Sequence, residues 1–120
     1  MAGNPAFGER IRTLRERKKA ENPAFSLRQF AERVGISATF LSKVERGEFD
    51  PPAPDKIKRM AEELGLDADE LLALAGRVDP DLNDIIKQQP KEIADFLRTA
   101  QGVSAEKLRQ LTDQLRRDKQ

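Results

Sequence analysis

The chain of 120 residues has no cysteine and no histidine. Those two absences exclude disulfides, thiol nucleophiles, imidazole general bases and zinc sites of the usual ligand types. Carboxylates remain available to magnesium or calcium, but no loop carries the ligand spacing of a calcium hand. The seven glycines are scattered singly, so no glycine-rich loop exists to cradle a phosphate. No apolar run is long enough to span a bilayer, and the first residues lack a signal-peptide pattern. A soluble, cytoplasmic protein without metal or cofactor is therefore expected. An enzyme is the least expected class. A nucleophile–base pair would have to come from Ser, Lys and carboxylates, and none of these stands in a supporting motif.

At this length the chain suits one small domain plus a short appendage. Its net charge of +1 hides an asymmetry. Residues 1–47 hold ten Lys/Arg against five Asp/Glu, or +5, whereas 48–120 hold twelve against sixteen, or −4. A basic half is what attraction to phosphates requires, although ordinary surface charge produces such splits too.

What is present is concentrated in Ser26–Gly47, SLRQFAERVGISATFLSKVERG. Ser26 suits an N-cap, with Gln29 three residues on to complete a capping box. Phe30, Ala31 and Val34 recur at helical spacing and give the first helix one apolar face. Gly35 supplies a turn conformation that strains other residues. Ile36 fills the angle between the helices and Ser37 caps the second. Leu41 and Val44 then point inward, leaving Ala38, Thr39, Ser42, Lys43 and Arg46 outside. A short helix with a small, polar and basic outer face suits a DNA major groove.

Further helices follow from the same spacing. Phe7, Ile11 and Leu14 mark a helix over Phe7–Lys19, and Met1–Pro5 is expected to be loose. Gly47 suits a helix stop, and Glu48–Ala53 reads as a loop. Pro54 opens a helix with Ile57, Met60, Ala61 and Leu64 buried. Asp67–Glu70 reads as a second capping box, opening a helix through Leu71, Leu72, Leu74 and Ala75 that Gly76 ends. Beyond Arg77, three more helical segments carry Leu82, Ile85 and Ile86; then Ile93, Ala94, Phe96 and Leu97; then Leu108, Leu111 and Leu115. Three helices of this size bury little on their own.

From about Phe7 to Gly76 the chain resembles the Cro/C1-type (XRE) helix-turn-helix repressors of bacteria and phages. The matching parts are Phe30-Ala31-Glu32, the Gly35-Ile36-Ser37 turn, Leu41 through Gly47, Pro51-Pro52 and Leu64-Gly65-Leu66. The resemblance implies an all-α fold. Residues 1–76 would form a five-helix, lambda-repressor-like DNA-binding domain with its motif at 26–47. Residues 77–120 leave the family's shared part and read, from their own spacing, as an extension of about three helices for dimerisation or partner binding.

By the same resemblance Ala38, Thr39, Phe40 and Lys43 face base edges. Each suits that task chemically: Lys43 donates to guanine O6 and N7, Thr39 bonds several edges, and Ala38 or Phe40 packs on a thymine methyl. Ser26, Arg28, Ser37, Ser42, Arg46 and Lys56 are the expected contacts to the DNA backbone. The family often has a phosphate-clamping glutamine where Leu27 stands, so Arg28 or the unusually long Lys19–Phe25 connection must compensate. That connection reads either as a phosphate-touching arm or as a solvated spacer. Arg15 and Glu45 match positions that form a structural ion pair.

Ile85, Ile86, Ile93, Phe96, Leu97, Leu108, Leu111 and Leu115 supply an expected dimer interface, because one reading helix needs a doubled half-site for specificity. The expected function is a homodimeric repressor of a palindromic operator on double-stranded DNA. The rivals are a regulator whose last helices bind an antirepressor, a toxin or a protease, and a helical adaptor that binds proteins.

Overall fold

Asn4 starts the first helix, because its side chain accepts the Phe7 N–H at 3.0 Å and Pro5 enters with its φ already helical. The computed structural model describes residues 3–120. Met1 and Ala2, the start of the segment expected to be loose, lie outside the described residues. For Gly3–Pro5 that expectation is corrected: Gly3 N–H donates to Asp50 Oδ1 at 2.8 Å and Asn4 Nδ2 to the Leu74 carbonyl at 3.0 Å. Long-range partners hold what looked like a free end.

The described residues form eight α-helices: α1 Pro5–Lys19, α2 Leu27–Val34, α3 Ala38–Glu45, α4 Pro54–Leu64, α5 Ala68–Leu74, α6 Pro80–Gln88, α7 Pro90–Ala100 and α8 Ala105–Asp118. A 3₁₀ turn, Pro23–Phe25, joins α1 to α2. The fold is all-α, with no strand among the described residues. It divides into two compact units, Met1–Leu82 and Asn83–Gln120.

In the first unit, Phe7 and Ile11 of α1, Phe30, Ala31 and Val34 of α2, and Leu41 and Val44 of α3 close one side of the core. Ile57, Met60, Ala61 and Leu64 of α4 and Leu71, Leu72 and Ala75 close the other. Leu74, expected among them, is exposed. At about 100° per residue, Leu71, Leu72 and Ala75 define the inward arc and Leu74 falls beyond its edge.

Gly8 decides how closely α1 meets α3. A Cβ there would stand 2.2 Å from the Val44 carbonyl oxygen and 2.8 Å from that of Glu45. Only hydrogen fits between the two backbones.

The connection from Lys19 to Phe25 is tied to the domain at its far end, while residues 19–23 stay exposed. Asn22 turns its side chain back onto the Ala24 N–H at 3.0 Å, and Phe25 packs against the core beside Phe30. Arg33 donates to the Ala24 carbonyl, and Arg15 Nη1 reaches the Phe25 carbonyl at 3.1 Å. Two arginines from outside the connection thus anchor the turn.

The second unit is built differently. Pro90 opens α7, and Ser104 caps α8 by accepting the Lys107 N–H at 3.1 Å. None of the residues in α6, α7 or α8 is buried. Ile86, Ile93 and Leu111 are half-covered, whereas Ile85, Phe96, Leu97, Leu108 and Leu115 are exposed. Local capping makes these helices; no core of their own encloses them.

Candidate nucleic-acid interface

The α2–α3 pair owes its geometry to Gly35. Its φ of +86° is left-handed, a conformation that costs residues with a Cβ. The Gly35 N–H and the Ile36 N–H both return to the Ala31 carbonyl, at 2.9 and 3.0 Å. These bonds satisfy the end of α2 while the chain reverses. Ile36 packs against the core at that bend.

Each helix of the pair begins on a serine. The Ser26 hydroxyl accepts the Gln29 N–H at 3.2 Å, and the Ser37 hydroxyl accepts the Phe40 N–H at 3.0 Å. The first N–H groups of each helix are left without intrahelical partners, which is the ordinary basis of anion binding there.

On α3, Leu41, Val44 and Glu45 are buried. Thr39 and Arg46 are exposed, and Ala38, Phe40, Ser42 and Lys43 are half-covered. Ala38 and Phe40 both touch the core, so their faces are shared between packing and any external contact. Arg28 is exposed at the start of α2. Arg46 pairs with Glu48 at 3.1 Å, which moderates its charge. Lys56 sits over the Gly35 turn, 3.9 Å from Asp55 Oδ2.

Arg15 and Glu45 come together as a bidentate pair beneath this surface. Nε meets Oε2 at 2.7 Å and Nη2 meets Oε1 at 2.8 Å, with the two residues 5% and 7% exposed. The same guanidinium holds the Phe25 carbonyl. One side chain thus ties the end of α3 to α1 and to the turn before α2.

Beside the pair, α1, α2 and α3 form a groove that brings Arg12 and Lys19 next to Leu27, Ser42 and Arg46. Arg12 bonds Glu16 at 2.7 Å, and that hydrogen bond holds the Glu16 carboxyl below its usual range. Arg12 carries no sequence signal as a contact residue, and Lys19 enters the sequence reading only as the start of the long connection. Only the crossing of α1 over the motif places them near Leu27, where the long polar clamp is missing.

Phe49 also went unmarked. It follows α3 and stands 41% exposed, with its ring 6.0 Å from that of Phe40 and the Lys43 ammonium 5.2 Å from its centroid. Arg77 is the other omission. It donates to the carbonyls of Pro51 (2.8 Å) and Pro52, fixing the loop that leaves α3.

The expected interface residues Ile85, Ile86, Ile93, Phe96, Leu97, Leu108, Leu111 and Leu115 all lie in the second unit. Phe96, Leu97 and Leu108 share a shallow, mainly apolar depression there with Ala100. Among the described residues no helix is long and apolar enough to cross a membrane.

A family model described as a helix-turn-helix domain matches residues 6–74. The chain is 35% identical over 74 residues to the HTH-type transcriptional repressor RghR of Bacillus subtilis, covering 62% of this chain and 51% of that protein. It is 39% identical over 64 residues to the uncharacterized HTH-type transcriptional regulator Rv0474 of Mycobacterium tuberculosis, covering 53% of this chain and 45% of the other. The chain therefore spans about half the length of the curated relatives it matches. Among solved structures, the SinR protein/SinI protein complex aligns over 95% of this chain and 99% of its own, at 25% identity and a TM-score of 0.46.

Proposed function

This chain belongs to the helix-turn-helix domain family, and from that premise we propose that it is a sequence-specific transcriptional regulator, a homodimeric repressor of a palindromic operator. The observation that carries the reading is the division of α3. Leu41 and Val44 are spent on the core, while Thr39, Lys43 and Ser42 remain on a helix small enough for a major groove. In this reading Ala38, Thr39, Phe40 and Lys43 address base edges. Ser26, Arg28, Ser37, Ser42, Arg46 and Lys56 hold phosphates, joined by Arg12 and Lys19 from the neighbouring groove. The Arg15–Glu45 pair orients the reading helix without touching DNA.

Dimerisation is assigned to the second unit, whose exposed leucines, isoleucine and phenylalanine find no cover within it. The same exposed face also suits a protein ligand such as an antirepressor, toxin or protease. Native mass spectrometry separates the two, since a monomer at micromolar concentration would favour the partner reading.

The decisive experiment is selection of the purified chain against a random duplex pool at low and at physiological salt. An enriched inverted repeat is expected. Retention at low salt alone, with no enriched sequence, would exclude specific recognition.

A further inference from the structure

Four of the five phenylalanines in the first unit lie in the core or against it; Phe49 is the exception. Its ring stands partly open to solvent four residues past the end of α3. It is not there through slack in the chain. The Lys43 carbonyl accepts the N–H of Glu48 at 2.9 Å and that of Phe49 at 3.3 Å. The next residue, Asp50, accepts the Gly3 N–H, and beyond it Pro51 and Pro52 are buried with their carbonyls held by Arg77. Phe49 is thus fixed on both sides, with its ring tilted 47° against Phe40.

The neighbouring charges narrow what this ring could meet. Glu48 and Asp50 flank it, so the segment repels phosphates and is unsuited to a DNA backbone contact. Lys43 leans over the ring within cation–π distance, which sets an ammonium donor beside an apolar surface. In the major groove that combination has a counterpart. Guanine offers the O6 and N7 acceptors, and thymine alone among the four bases offers a methyl group.

We infer that Phe49, supported by Phe40, is a specificity-determining residue that packs on the C5-methyl of a thymine beside the guanine addressed by Lys43. The inference rests on the DNA-binding reading above and adds a base to it. Lys43 is steered by the ring as well as by its own charge, so the two side chains read neighbouring positions as one unit.

The test uses the intact chain and the duplex enriched from the random pool. Each thymine of the site is replaced in turn by uracil, which removes the methyl and keeps every hydrogen-bonding group. At one position of the half-site the dissociation constant should rise about fourfold, the worth of one buried methyl group. Phe49→Ala should bind the thymine and uracil sites equally, at the weaker affinity, and Phe49→Leu should restore part of the preference. A cooperative melting curve for Phe49→Ala shows that the variant is folded, so that its loss of thymine preference reports the missing ring.

If uracil is tolerated at every position while the site itself is still enriched, the methyl contact is wrong and the DNA-binding reading survives. If the preference for thymine persists in Phe49→Ala, another residue reads the methyl and the assignment falls. If no site is enriched at all, the regulator reading fails and takes the inference with it.

Discussion

Lys43 and Arg28 differ in what their loss should change. Under the proposed docking Lys43 meets a base, so Lys43→Ala should relax preference at a single base pair, by about 1–3 kcal/mol. In the same proposed docking Arg28, exposed at the start of α2, meets the backbone. Its replacement by alanine should weaken all sequences alike and reduce the salt slope by about one. Titrations of matched and single-mismatch duplexes at several salt concentrations separate the two; an unchanged base preference in Lys43→Ala would refute this docking. Arg15 and Glu45 act on stability instead. Glu45→Ala leaves a guanidinium buried without its carboxylate, at a cost of about 3–5 kcal/mol, whereas replacing both partners by apolar residues should be nearly neutral. Thermal melting decides it. An unaltered midpoint for the single variant would show that the pair contributes nothing.

At the scale of elements, the contact of α1 with α3 depends on one missing side chain. Gly8→Ala places a methyl group against the Val44 carbonyl, so α1 has to lift from α3. Overpacking of that kind costs about 1–3 kcal/mol, more where backbone is the obstacle, and should appear as a lower urea midpoint at an unchanged slope. The start of α6 carries a pH dependence. Asp79 accepts the Asp81 N–H at 3.1 Å and meets Lys58 of α4 at 2.9 Å; chiefly the lysine's hydrogen bond holds its carboxyl below the usual range. A folded-state pKa below the unfolded one gives stability that is complete above the ordinary carboxylate range and lost as pH falls through the depressed value. Asp81 moves oppositely, raised first by burial and then by the Asp79 charge, and offsets part of the effect. Asp79→Asn should therefore flatten the fall in melting temperature below about pH 4. A variant whose acid profile matched the parent's would show that the Lys58 link is not felt.

For the whole molecule, the side chains of Arg77 and Asp79 matter more than the glycine before them. Both lie past Gly76, yet both bond within the first unit. A piece ending at Gly76 loses the clamp on Pro51 and Pro52, and charged hydrogen bonds of that type are worth about 1.5–3 kcal/mol. Residues 1–82 should accordingly melt higher than residues 1–76. They should also be monomeric in native mass spectrometry while the whole chain is dimeric. A dimer formed by residues 1–82 would move the proposed interface out of the second unit.

Much of this was legible from local chemistry. Ser26, Gly35, Ser37, Pro54 and Ser104 mark boundaries because capping, a left-handed turn and a fixed φ are properties of a few consecutive residues. The apolar stripes of α2, α3 and α4 are likewise visible in their spacing, and the motif at 26–47 carries its own pattern of inward and outward positions. What tertiary structure decided involves partners distant in the chain. Phe25 is drawn onto the core and its turn held by Arg15 and Arg33, and Arg12 and Lys19 are brought beside Leu27 by the crossing of α1. Gly8 is set against a carbonyl of α3, and Arg77 reaches back to a proline loop. Phe49 enters the proposed reading surface only because its ring meets both Phe40 and Lys43. Periodicity states which face of a helix turns inward; which side chains meet across helices depends on their relative placement, and that exists only once the core has closed.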